Sequence, residues 1–455
     1  MTTPKMLCLI LSSLMVMAAQ AETVHVQKIV SEALTQSLQL QKTEAAYEEA
    51  SWKKSETLQG FLPSLTGSVN YLTNKKYMLV DVNLGGNPAS IAQVVPTTAY
   101  TLNASLPLFD GFASTHRLLS AKHAQKSAEY ELDWARFSIE RQTILQFYKA
   151  IAAKSLKEVA DQNLKSLNDH LKDTLAMKMI DQNLKSLNDH LKDTLAMKKA
   201  GVSTNYDVLR VQVQASEAES EILNAQNNLD AAQMKLAEIL GKESEDRDLV
   251  GQLPEIGIDV VQKASRLKAE DRADLKGLRE RRSAADSLDD STGAYWVPKI
   301  AAFGQYQYYN NINDRFTDDA KFREAYMVGL NLTWNLFDIA SIAKSKQSSA
   351  QYVQMQKNIQ MTEIKAKQDL DFWKKKLNYF INVYQARRAD IDRSLEAVRL
   401  AKEGRRAGVR TNTEQLDAEV DLARVRAHQV NAQIGAIEAL VNLELATGKT
   451  LYNFN

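Results

Sequence analysis

The residues best placed to do chemistry are charged side chains gathered in one stretch. Arg405, Arg406, Arg410, Glu414 and Asp417 fall within R-R-A-G-V-R-T-N-T-E-Q-L-D. Catalysis is not what they offer. The sequence has no Cys cluster, no H-E-x-x-H pair, no phosphate-cradling Gly loop and no G-x-S-x-G elbow. It implies no enzyme, no cofactor and no metal. His170 and His190 occupy equivalent positions of a duplicated segment and read as one solvated helix position, not a metal pair. What remains is electrostatic. Carboxylates facing a pore bind and select cations, and Arg–carboxylate pairs hold helices together. Acidic residues in a helix's first turn also simply complement its dipole.

The elements that must position these charges are two helices joined by a sharp turn. In Lys198–Asp207 the sequence K-K-A-G-V-S-T-N-Y-D repeats the pattern, offset by 207 residues. Ala200, Gly201, Val202, Thr204 and Asn205 match Ala407, Gly408, Val409, Thr411 and Asn412. In each copy a Gly, free to take positive φ, ends one helix. A Thr-Asn pair then supplies N-cap chemistry for the next. Two such turns indicate a chain built twice on one plan.

The chain has 455 residues, 25% of them charged, and a net charge of +1, which gives no argument for nucleic acid. Lys5, an apolar run from Met6 to Ala19 and the motif Ala19-Gln20-Ala21 read as a signal peptide cut after Ala21. The single cysteine, Cys8, lies inside it. The mature chain is therefore expected to be exported, without disulfides or an N-terminal lipid. No later stretch offers the ~20 apolar residues of a spanning helix. If this chain crosses a membrane, it does so with strands.

Residues 22–245 form the first expected repeat. A helical N-terminal stretch gives way at Phe61 to period-two alternation, with Leu65, Gly67, Val69 and Tyr71 on one face. A polar stretch with Gly85, Gly86, Asn87 and Pro88 reads as a loop, and Tyr100, Leu102, Ala104, Leu106 and Leu108 then alternate again. This predicts a hairpin over 61–109, followed by a long helical hairpin with its tip near Gly201. Residues 246–455 repeat the plan, with a hairpin over 296–337 and a helical tip near Gly408. Tyr71, Tyr100, Tyr306, Tyr308, Tyr309 and Trp334 suit either an aromatic girdle or plain barrel packing.

One feature breaks the symmetry. Asp161–Lys178 recurs unchanged at Asp181–Lys198. From Asp110 to Gly201 is 91 positions and from Asp338 to Gly408 only 70, so the surplus sits in one arm. Twenty extra helical residues add ~30 Å and turn every later side chain by about 200°. The expected outcome is a bulge, a disordered loop or an assembly artefact.

Four strands cannot close a barrel, and open edges are not tolerated in lipid. Three chains give twelve strands, enough for a closed barrel with a wet lumen. P-S-L-T-G-S-V-N-Y (Pro63–Tyr71), L-P-L-F-D-G-F (Leu106–Phe112), L-T-W-N-L-F-D (Leu332–Asp338) and the two A-G-V turns together carry a resemblance to the TolC family of outer-membrane efflux channels. It covers nearly all of the mature chain. It implies a mainly α fold with a membrane β-barrel: a homotrimer whose 12-stranded barrel stands on a long periplasmic α-helical barrel, with two structural repeats per chain.

The resemblance also implies a gate at the periplasmic tip, a periplasmic adaptor protein and an inner-membrane transporter as partners, and outer-membrane lipid around the strands. The adaptor would dock near Gly201, Val202, Gly408 and Val409. Glu414 and Asp417 match the family's constricting Asp rings, and in three-fold symmetry they would supply six carboxylates. Arg410 matches a tip Arg tied to the opposite hairpin, where Asp207 is the acidic partner. The chain departs from the pattern at Arg405, where the family has a latch Tyr, and at Tyr206, where it has a small hydroxyl residue. The expected function is a passive exit duct for efflux or type I secretion. Two alternatives stand beside the drug outlet: a dedicated protein-secretion duct and a periplasmic coiled-coil scaffold. The scaffold would not need the four alternating strands.

Overall fold

The computed structural model describes residues 24–72, 79–84, 87–92, 98–190, 205–245, 247–269, 272–310 and 322–454. The order of elements is α1 (Val26–Gln36), α2 (Leu38–Thr57), β1 (Ser64–Tyr71), β2 (Leu79–Leu84), β3 (Asn87–Ala92), β4 (Thr98–Phe109), α3 (Ala113–His190) and α4 (Asn205–Leu240). The chain continues with α5 (Ile258–Ser265), α6 (Ala273–Gly293), β5 (Lys299–Asn310), β6 (Phe322–Thr333), α7 (Ile339–Arg406) and α8 (Asn412–Thr447). Two compact units result. The first is Met1–Leu40, Arg136–Leu267 and Asp369–Asn455; the second is Gln41–Ala135 and Lys268–Gln368.

The second unit holds a four-stranded antiparallel sheet in the order β1-β4-β5-β6. Its register explains the alternation in the sequence, because residues directly opposite one another share a face. Leu65 faces Ala104, which faces Gly304, which faces Val328. Two residues along, Gly67, Leu102, Tyr306 and Tyr326 line up in the same way. The intervening rows are more polar, as in Thr66, Asn103, Gln305 and Met327, and in Ser68, Thr101, Gln307 and Ala325. The apolar face is open: Val328 and Tyr326 are each 83% exposed, and Leu65, Leu102 and Leu330 are exposed too. Tyr100 and Tyr308 cluster with Phe322 at one end of the sheet, the last two rings stacked 4.8 Å apart. β1 and β6 are its two edges.

The stretch read as a loop between the first two strands carries a small hairpin of its own. β2 pairs with β3, Leu84 opposite Asn87, so that only Gly85 and Gly86 separate them. Gly-Gly between β-branched runs is a two-residue hairpin signal.

Each strand-to-helix corner is built around an Asp. Asp110 accepts hydrogen bonds from the Ser114 amide (2.8 Å) and hydroxyl (2.6 Å). Asp338 does the same for Ser341 at 3.3 and 2.6 Å. The repeated L-F-D motif is therefore a helix cap.

In the first unit α4 and α8 are both 36 residues long, and each ends at a left-handed Gly, Gly241 at φ 68° and Gly448 at φ 67°. Its core contains Phe147, Leu236, Leu240, Leu377, Ile381, Ile437, Leu440 and Leu443, all fully buried. α3 and α8 run antiparallel, their contacts stepping down in register. Arg141 meets Glu444 at 3.0 Å, Lys149 meets Glu438 at 3.0 Å, and His170 meets Glu419 at 3.2 Å. α3 continues as helix to His190. The expected bulge is absent from this span of backbone, and residues of the first copy, Ser166, His170 and Thr174, contact α8. His170 is not the solvated position expected: it is 5% exposed. Among the described residues no helix is long and apolar enough to cross a membrane.

Candidate functional site: the helical tip

The turn between α7 and α8 is fixed by its own backbone. Gly408 takes φ 72°, its N–H donates to Arg405 O (3.0 Å), and the Val409 N–H reaches back to Gly404 O (2.9 Å). This pair of bonds is a Schellman motif, which closes a helix around a left-handed residue. Val409 then stands 78% exposed at the apex. α8 starts with a capping box. The Thr411 hydroxyl accepts from the Glu414 N–H (3.2 Å), and the Glu414 carboxylate accepts from the Thr411 N–H (2.8 Å).

Glu414 is thus committed to its own helix end. Asp417 is committed across helices, accepting from Arg210 of α4 at 2.7 Å. Arg210 and Asp417 are 207 residues apart, the same offset that relates the two turns. Equivalent positions of the two repeats therefore carry opposite charges and meet, a signal visible in the repeat alignment. Arg410 lays its Cβ, Cγ and Cδ against Gly404, where a Cβ on that glycine would fall 2.9 Å from Cγ and Cδ. The side chain of Asp207 lies outside the described residues, as do Gly201 and Val202 of the other turn.

Arg405 makes another contact between the hairpins. It donates to Asp173 of α3 at 3.0 Å and to Gln415 at 3.2 Å. Beside it lies a polar cluster that sequence reasoning missed. The Glu419 carboxylate accepts from Ser166, from His170 (3.2 Å), from Gln415 (2.9 Å) and from Lys402 (3.2 Å). Burial works to raise this carboxyl, but those donors outweigh it and hold Glu419 well below the usual carboxylate range. His170 also meets Asn412 (3.0 Å), whose amide donates to Thr174 (3.1 Å). Under the cluster Leu167, Val211, Ala218 and Leu416 form a small apolar core, flanked by Leu164 and Leu171. The signal was present in α3: the seam Leu164, Leu167, Leu171 places His170 at its margin rather than on the far face.

An open apolar sheet face, paired long helical hairpins and a charge-latched tip define a class of outer-membrane channel folds. The chain belongs to the outer membrane efflux protein family, whose model matches residues 29–176 and 265–449. The first matched stretch ends before the second copy of the duplication begins at Asp181. Solved structures agree in fold. The outer-membrane protein VceC from Vibrio cholerae matches at TM-score 0.69 and 17% identity, over 94% of this chain and 97% of that one. The Campylobacter jejuni CmeC outer-membrane channel matches at TM-score 0.69 and 14% identity, over 93% and 85%. The open state of the Neisseria gonorrhoeae MtrE outer-membrane channel matches at TM-score 0.65 and 17% identity, over 94% and 89%. Among curated proteins no relative matches the chain. The fold is TolC-like, with two repeats in one chain.

Proposed function

We propose that this protein is a passive exit duct in the outer membrane, gated at its periplasmic tip. The observation that carries this reading is the sheet. One face is mostly apolar and exposed across all four strands, interrupted by Glu324 opposite Tyr308 near one end, and the two outer strands have open edges. Lipid is the surface that suits such a face, and it forbids such edges. Three copies joined edge to edge remove them and give a barrel of twelve strands with the polar rows inside. The helices, which are not apolar enough to span a bilayer, project into the periplasm in this reading. A periplasmic adaptor and an inner-membrane transporter complete the assembly, the adaptor docking at the exposed Val409 turn and its counterpart at Gly201 and Val202. Energy for transport comes from the transporter.

In this assembly Glu414 and Asp417 line the constriction, and Arg410 with Asp207 closes it. Purified protein in a planar bilayer is the test. Small, cation-selective steps from a detergent-stable trimer are expected. A protein that remains monomeric and leaves the bilayer silent would overturn the duct.

A further inference from the structure

The polar face of the sheet carries charge of one sign. Lys299 stands on it at one end, opposite Thr333, and Arg323 at the other, opposite Tyr309. The described residues of the four strands put no carboxylate on that face. Glu324, next to Arg323 in sequence, falls on the apolar face, opposite Tyr308. The rows of Lys299 and Tyr309 lie ~34 Å apart along β5. That exceeds the screening length of about 10 Å at 0.1 M salt, so the two ends act separately.

Other donors gather at the Lys299 end. Lys299 lines a cavity of about 200 Å³ together with Arg117 near the start of α3 and Lys344 near the start of α7. Tyr295 and Asn335 line it too, adding a phenol and an amide that can donate to an anion. The carboxylates nearby are already engaged. Asp110 holds Arg117 at 3.1 Å, and Asp338 caps α7 by accepting from the Ser341 hydroxyl at 2.6 Å. Lys299 and Lys344 are exposed, and neither has a carboxylate partner among the described residues. Two ammonium groups without counter-charge, in a polar cavity, suit a phosphate or a carboxylate.

We propose that this cavity is an anion-binding site on the lumen side of the barrel, taking phosphate or carboxylate groups of solutes in transit. The site rests on the reading of the chain as a duct, because the polar rows become the lumen only when three copies close the sheet. Three cavities then form a basic collar, and rings of Lys and Arg are what anion and phosphate pores use. Glu414 and Asp417 belong to the other unit and to the constriction. A solute therefore meets carboxylates where the duct narrows and ammonium groups where it becomes a barrel.

Tripolyphosphate is the probe, titrated calorimetrically into the full-length protein in detergent at about 0.1 M salt, where exposed charges are not fully screened. The wild type should bind one per chain. Lys299→Gln combined with Lys344→Gln should weaken binding several-fold, while Lys299→Arg with Lys344→Arg, which keeps the charge, should retain it. Lys357→Gln, at an exposed position of α7 that does not line the cavity, should change nothing. No binding by the wild type, or equal binding by the double Gln variant, would overturn the site. In planar bilayers, tripolyphosphate added on the barrel side should reduce the current of the wild type but not of the double Gln variant. Added on the tip side, where carboxylates repel it, it should reduce neither. Conducting channels indifferent to the probe on both sides would remove the site from the lumen. Silence from every variant would instead sink the duct, and the titration alone would then decide whether the cavity holds anions.

Discussion

The first unit contains two kinds of charge contact, and solvent is the difference between them. High on α3 and α8, Arg141 and Glu444 pair with side chains only 5% and 0% exposed. Glu444 also accepts from the Leu451 and Tyr452 amides, at 2.6 and 2.9 Å, so the pair anchors the C-terminal segment as well as the two helices. At the tip, Arg405–Asp173 is 27% and 54% exposed, and Arg210–Asp417 is 35% and 41% exposed. Water can replace either partner at the tip, so those pairs separate at little cost. No such replacement exists for Glu444. Helices pinned at one level and lightly latched at another can part at the tip without unfolding above it.

Arg141→Leu should expose that contrast most sharply. It leaves Glu444 buried without its cation, and removing one partner of a buried pair costs about 3–5 kcal/mol. Denaturant unfolding of the detergent-solubilised protein measures it. A loss of no more than about 1 kcal/mol, the level of an exposed pair, would mean that the upper contact is as solvated as the tip. The turn comes next. Gly408→Ala forces a side chain onto φ 72° and should cost about 1–2 kcal/mol in the same experiment.

The sequence revealed what is local and periodic. The turn at Gly408 and the helix start at Thr411 follow from a few neighbouring residues, and the alternation in 64–71 and 98–109 already gave the sheet its two faces. What stayed hidden depends on which helix faces which. Asp417 is legible as a first-turn acid, but its partner lies on α4, far along the chain. His170 looked solvated because the segment around it is rich in Lys, Asp and Asn; only the packing of α8 against it shows the burial. The β2–β3 hairpin was missed for another reason. Its Gly-Gly turn was visible, but polar neighbours hid the short alternating runs on either side.

Separating Arg210 from Asp417 should have a small effect on stability and a clear one on the gate. Arg210→Ala should cost about 0–1 kcal/mol of stability, as exposed pairs do. Under the duct reading it should nevertheless raise single-channel conductance, and Arg410→Ser should do so as well. Charge removal at Glu414 and Asp417 together should reduce cation selectivity. Unchanged selectivity in that double variant would place the ring elsewhere.

The smallest effect is expected from the largest change in sequence. Deleting residues 161–180 joins Ala160 to Asp181 and leaves one intact copy of D-Q-N-L-K-S-L-N-D-H-L-K-D-T-L-A-M-K in front of Lys199. Ser186, Leu187, His190 and Thr194 then arrive at the positions that Ser166, Leu167, His170 and Thr174 occupy, with the same side chains and the same helical phase. Every tip contact described for α3 can re-form. The upper register through Arg141 and Lys149 is untouched, because it precedes the cut. Melting temperature should therefore match that of the parent. A marked loss of stability would show that the second copy packs against something the first does not, and that the tip depends on both.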